Sequence, residues 1–261
     1  MRKYFFTSLF IGLCVAVIAG QQTKAWTKWT EKEAEQILND SAWGQTQIDT
    51  NIAEMVYSPT TGSGGAGNTA NRATMRADQG VINRNRAAEG AYNQAVEVKF
   101  RVRFLSAKPI REALASVLVI KQEQVDKDQE TDKAPAVRRE MQQFIDRDFK
   151  EFIVLAVTFE ASDGRLMGKA FQDFNSATTA SIKNDTYLVK DGGQKLFLID
   201  YRPPSEDGLG ARFVFPRQYD GKDFLSTAQR ELRFHSTLGP NVKLDRLFKV
   251  SDMVYQGKLE Y

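Results

Sequence analysis

The run TGSGGAGNT, residues 61–69, matches two phosphate-binding patterns at once. Gly62, Gly64 and Gly67 form G-x-G-x-x-G. Gly62 and Gly67 followed by Asn68 and Thr69 form G-x-x-x-x-G-K-[ST] with asparagine where the lysine belongs. Such loops cradle phosphate with backbone N–H groups, and they need a strand before them, a helix after them and, in the second pattern, the lysine. Ser58-Pro59 separates the preceding EMVY from the glycines, and ANRATMRADQGV behind them lacks a helical apolar face. Glu89 stands where a ribose-binding acid would be sought, but no alternation of strand and helix supplies the sheet it would need. The glycines therefore read as a linker, and no cofactor is expected.

His235 is the only histidine. A Ser-His-Asp triad or a metal site would have to use it, and metal sites generally draw on two or more His or Cys ligands. In ELRFHSTL, strand alternation gives the buried face to Leu232 and Phe234, which leaves His235 on the surface or rim. No G-x-S-x-G or H-E-x-x-H accompanies it. Asp146, Asp148, Asp163, Asp173, Asp200, Glu206 and Asp207 are carboxylates a hydrolase could pair, but spacing in the chain does not set their spacing in the fold. SEDG (residues 205–208) lacks the ligand spacing and trailing glutamate of a calcium loop and reads as a polar turn. No catalytic and no metal-ligating residue is assigned.

Trp26, Trp29 and Trp43 are the candidate binding residues. They flank WTKWTEKEAEQILNDSAW, in which Thr30 and Glu33 form a capping box and Ala34, Ile37 and Leu38 recur at helical spacing. Tryptophans dominate protein interfaces, so the helix is a candidate docking element for another envelope protein or for self-association. The plainer reading is that the rings pin this helix to the domain's own core, where aromatic burial is most effective.

Met1-Arg2-Lys3, the apolar run from Tyr4 to Gly20 and polar Gln21-Gln22-Thr23 have the order of a secretory signal peptide. The apolar run is short for a membrane span, so any membrane association is expected to be peripheral. Cys14, the only cysteine, lies inside the apolar run, preceded by Leu13 and followed by VAVIAG, unlike a lipid-accepting cysteine. Cleavage therefore leaves no disulfide and no thiolate chemistry. A mature chain of roughly 235 residues is long enough to rely on a hydrophobic core instead. The net charge is +3, from 36 basic and 33 acidic residues; without Arg2 and Lys3 the basic count is 34. A nearly neutral chain with no basic run lacks the electrostatic footprint of a nucleic-acid binder.

Four parts follow: a signal peptide (1–25), the Trp-flanked helix (26–57), a Gly/Asn/Arg linker or loop (58–94) and a globular domain (95–261). The linker holds too few apolar residues to offset its ordering entropy. VEVKFRVRF (96–104) alternates strictly as a half-buried strand. AKPIREALASVLVIKQ predicts a helix started by Pro109, EQVDKDQETDK a polar loop, and residues 135–149 a second helix. EFIVLAVTFEA, TTASIKNDTYLV, QKLFLIDY, ARFVFPR, ELRFHSTL and NVKLDRLFKV are strand candidates, with RLMGKAFQDF a short helix between the first two. About seven strands separated by turns predict a β-rich α+β fold, an antiparallel sandwich or partly open barrel with helical insertions. MVYQGKLEY alternates up to Tyr261 as an ordinary final strand; a membrane barrel needs many such segments.

WTKWTEKEAEQILNDSAW, VRFLSAKPIREA, FIDRDFKEFIVLAVTFE, YRPPSEDGLGARFVFPR and NVKLDRLFKVSDMVYQGKLEY together resemble a group of uncharacterised exported bacterial proteins. The resemblance implies export from a bacterial cell and carries no activity or site residue with it. The expected function is a non-catalytic binding or structural module, periplasmic or extracellular. A carrier of a lipid or small apolar ligand is the alternative, and a carboxylate-dependent hydrolase ranks below both.

Overall fold

The computed structural model describes residues 24–50, 97–162 and 164–261. The expected signal peptide up to Thr23, Cys14, the glycine motif, the 58–94 linker and Asp163 lie outside the described residues. By contact density the chain divides into two units. Of the described residues, the larger comprises 24–47, Phe100–Phe159 and Ala170–Tyr261, and the smaller 48–50, 97–99, 160–162 and 164–169.

Helix and strand take equal shares of the described residues, 34 % each, in antiparallel sheets that do not close as a barrel. This is an α+β protein, but with an even balance rather than the β-rich one expected. The extra helix comes from segments read as loop and strand. A 3-10 turn (Trp26–Lys28) leads to α1 (Glu31–Asn39), which Thr30 caps: its hydroxyl accepts from Glu33 N while the Glu33 carboxylate accepts from Thr30 N. Helix α2 (Lys108–Gln129) runs through most of the supposed polar loop and ends at Glu130, which adopts a left-handed φ of 52°. Asp126 explains the extension. Its buried carboxylate accepts from Gln122 of the same helix and from Thr131 Oγ1, and also from the backbone N–H groups of Lys133 and Ala134. Those N–H groups begin α3 (Ala134–Ile145), so one side chain joins the two helices.

A five-stranded sheet has the order β1-β2-β3-β7-β6, from β1 (Gly44–Thr50), β2 (Glu97–Phe104), β3 (Phe152–Ala161), β6 (Asp200–Arg202) and β7 (Ala211–Pro216). A four-stranded sheet has the order β11-β10-β4-β5, from β4 (Thr186–Lys190), β5 (Lys195–Phe197), β10 (Glu231–Thr237) and β11 (Lys243–Lys249). Between β3 and β4 lie α4 (Gly164–Ser176) and the one-turn α5 (Thr179–Ile182). TTASIKNDTYLV is therefore helix over its first third. Thr178 and Ser181 form a second capping box, and only the β-favouring TYLVK forms the strand. QKLFLIDY likewise divides between β5 in one sheet and β6 in the other. The short hairpins β8 (Gln218–Tyr219)–β9 (Lys222–Asp223) and β12 (Val254–Tyr255)–β13 (Lys258–Leu259) replace one loop and the single final strand.

Alternation on β2 buries Val98, Phe100, Val102 and Phe104, as its sequence predicts. In the larger unit the two main sheets meet through aromatic rings. Phe213 of β7 lies 5.3 Å edge-on to Phe234 of β10, and Phe104 of β2 lies 4.8 Å edge-on to Phe248 of β11. All four rings are fully buried. Two further pieces brace β3: Phe159 stacks on Phe174 of α4 at 4.7 Å, and the Ser106 hydroxyl accepts from Val154 N. In the smaller unit Ser162 and Glu97 are bonded in both directions, Ser162 N to Glu97 O and Glu97 N to Ser162 Oγ.

A candidate ligand-binding recess

At the start of α2 the larger unit holds a recess of about 410 Å³. Pro109 sits in the first turn, where its missing N–H costs nothing, and the Glu260 carboxylate accepts from Lys108 N at 3.3 Å. Arg111 follows on the first turn and is only 6 % exposed. Its Nε donates to Ile145 O at 2.9 Å, and Nη1 donates to the carbonyls of Leu105 and Ser106. These bonds fix the guanidinium against the end of α3 and the turn after β2. Burial is the largest influence on Arg111 and lowers its pKa; repulsion from Arg217 acts the same way, against the attraction of Glu260, Glu112 and Asp146. Arginine stays charged nonetheless.

Three arginines line this recess: Arg111, Arg147 and Arg217. Each lies over an aromatic ring, Arg111 4.8 Å from the centroid of Phe149, Arg147 5.3 Å from Phe144 and Arg217 3.9 Å from Tyr261. A planar guanidinium on a ring face is oriented by both the ring quadrupole and the stacking. Arg217 also donates from Nη1 to Tyr261 O at 2.8 Å and to Phe149 O at 3.4 Å. Among the described residues, none of the three arginines has an Asp or Glu side-chain oxygen within 4.0 Å. Lys150, by contrast, is paired with Asp148 at 3.0 Å, and that bond holds the Asp148 carboxyl below the usual range. Glu260 and Asp223 complete the charged part of the wall.

A buried pair lies near the recess. Glu112, 5 % exposed, accepts from the Tyr255 hydroxyl and sits 3.8 Å from Lys108 Nζ. Burial pushes the Glu112 carboxyl up, and it pushes the Tyr255 hydroxyl up as well.

The three tryptophans take structural positions. Trp26, Trp29 and Trp43 are 8 %, 6 % and 8 % exposed, too little for a docking surface built on their rings. Trp29 Nε1 donates to Lys24 O at 3.0 Å. Trp43 lies edge-on to Tyr255 at 6.1 Å and donates from Nε1 to Glu260 O at 2.8 Å. Trp43 thus helps to position a residue of the recess wall. The short 3-10 turn and α1 both pack on α2, which is why the apolar stripe of α1 is buried.

His235 lies on the outer face of β10, stacked 5.1 Å from Tyr187 with Nδ1 3.5 Å from Asp245 Oδ2, while Leu232 and Phe234 point inward. The six described carboxylates of the seven are not gathered. Asp146 accepts from Gln142, Asp200 pairs with Arg202, Asp207 pairs with Arg212, and Glu206 is exposed. Asp173 is buried and accepts from Asn241 N at 2.9 Å; of the six that are described, only Asp148 lines the recess. Among the described residues there is no group of three or more His, Cys, Asp and Glu side chains placed to hold a metal ion, and no helix is long and apolar enough to cross a membrane.

The sequence reading missed Arg111, Arg147 and Arg217, and with them Phe149 and Tyr261. More than a hundred residues separate Arg111 from Arg217, and no spacing rule joins them. Compared with known proteins, the chain matches no family model, no curated protein and no solved structure.

Proposed function

We propose that this chain is an exported, non-catalytic binding module of the cell envelope, and that the recess at the start of α2 is where it contacts its ligand. One observation carries the reading: three ring-supported arginines, none with an Asp or Glu partner among the described residues, line a single recess. Carbonyls hold Arg111 and Arg217, which fixes a guanidinium without pairing it to an Asp or Glu, and among the described residues the Arg147 side chain has no hydrogen-bond partner. The charged wall suits a polar ligand and is the opposite of what a carrier of apolar molecules needs. In the same reading the five- and four-stranded sheets form a sandwich, a rigid support for the turns that carry the recess. Membrane contact would be no more than peripheral, and the tryptophans support the module from within.

Thermal-shift screening of the exported protein against small polar and apolar compounds tests this. A ligand present at about a hundred times its Kd stabilises the folded state by about 2.7 kcal/mol, which is readily seen as a rise in Tm. We expect hits among polar compounds that disappear in Arg147→Gln. Apolar hits indifferent to that change would favour the carrier instead, and turnover of a bound compound would overturn the non-catalytic reading.

A further inference from the structure

The recess has a chemical preference that follows from how its cations are held. Arg111 and Arg217 both touch Phe149, the first over the ring face at 4.8 Å and the second at the carbonyl oxygen. Two guanidiniums on one residue, both lining the same recess, put like charges side by side with no carboxylate bonded between them. The described hydrogen bonds of Arg111 use Nε and Nη1, and those of Arg217 use Nη1, so each guanidinium has Nη2 donors left for a ligand. Arg147 and Lys150 flank Phe149 in sequence and add charge at the exposed rim. The acids of the wall are committed or apart. Asp148 is bonded to Lys150, Glu260 accepts from the start of α2, and Asp223 accepts from Gln218 at 3.4 Å.

We infer that the recess binds a small molecule through an oxyanion group, a carboxylate or a phosphate, held between the guanidiniums of Arg111 and Arg217. Paired N–H donors on a planar fork match the oxygens of either group, and such charge-assisted bonds are about twice as strong as neutral ones. The inference rests on the binding-module reading and narrows it to one ligand chemistry.

Isothermal titration of the purified full mature chain tests this with three probes: inorganic phosphate, citrate and uncharged glucose, at ionic strength held constant with sodium chloride. Saturable binding of phosphate or citrate is expected, and the probe that binds tells a tetrahedral oxyanion from a carboxylate. Loss of one arginine's charge-assisted bonds should weaken that binding about tenfold or more. Arg217→Gln removes the central donor but also a prop for Tyr261. Arg147→Gln leaves every described hydrogen bond of the fold intact and gives up only the contact with the Phe144 ring, so weakened binding beside an unchanged Tm assigns the loss to the ligand. Binding unchanged in both variants, or no saturable heat with either anion, overturns the oxyanion assignment. Glucose binding that Arg147→Gln abolishes would overturn it too, while leaving the binding-module reading standing.

Discussion

Single residues hold this fold together where elements would otherwise leave backbone groups unmet. Gly44 is one: a Cβ there would lie 2.3 Å from the Leu38 carbonyl oxygen, so only glycine lets β1 leave α1 at that angle. Asp126 is another. Bonds from the Thr131 hydroxyl, Gln122 and the first N–H groups of α3 hold its carboxyl down, from the usual 3.8 to about 2. These bonds favour the ionised form. A depressed folded-state pKa contributes stability that is fully present above the unfolded value and is lost as pH falls through the folded one. Asp126→Asn should therefore lower Tm at pH 6, and the gap to the native chain should close as the pH falls from about 5 to about 2. Thermal denaturation at stepped pH checks this. A gap of constant size down to pH 2 would mean that the charge of Asp126 is not what joins α2 to α3.

At the scale of elements, α1 is short and depends on its first turn. Its nine residues are too few to be stable alone in water, so capping and burial against α2 must hold it. Thr30→Ala removes the acceptor for Glu33 N and should cost about 1 kcal/mol, read as a lowered midpoint in urea denaturation; Thr30→Ser should restore most of it. An unchanged midpoint would leave packing against α2 as the sole support. This cap was legible in the sequence because a capping box is a local pattern of four residues. So were β2, where period-two alternation coincides with burial, and the outward-facing His235. What was not legible was non-local. The polar surface of α2 beyond Lys121 resembles a loop until Asp126 is seen to bind α3, and the β-favouring YLV masked the Thr178–Ser181 cap beside it. The recess was hidden for the same reason, since its arginines come from α2, from the turn after α3 and from the end of β7.

For the molecule as a whole, the two main sheets are joined in the larger unit by a few large rings, and that makes stability uneven. Phe234 is the centre of this contact. It is fully buried, lies 5.3 Å from Phe213 and 6.3 Å from Phe215, and sits on β10 between β4 and β11. Truncating such a ring loses its transfer free energy and leaves a cavity that neighbouring strands, held on both sides by hydrogen bonds, cannot fill. Phe234→Ala should thus cost about 3–5 kcal/mol, a large part of the marginal stability of a domain. The outer face of the same strand offers the control. His235 adjoins Phe234 but points outward, so His235→Gln should stay within roughly 0.5 kcal/mol of the native chain. Paired urea denaturations decide between an inter-sheet contact that carries the fold and one that merely touches. A Phe234→Ala midpoint no lower than that of His235→Gln would mean that the sheets are held by something other than these rings.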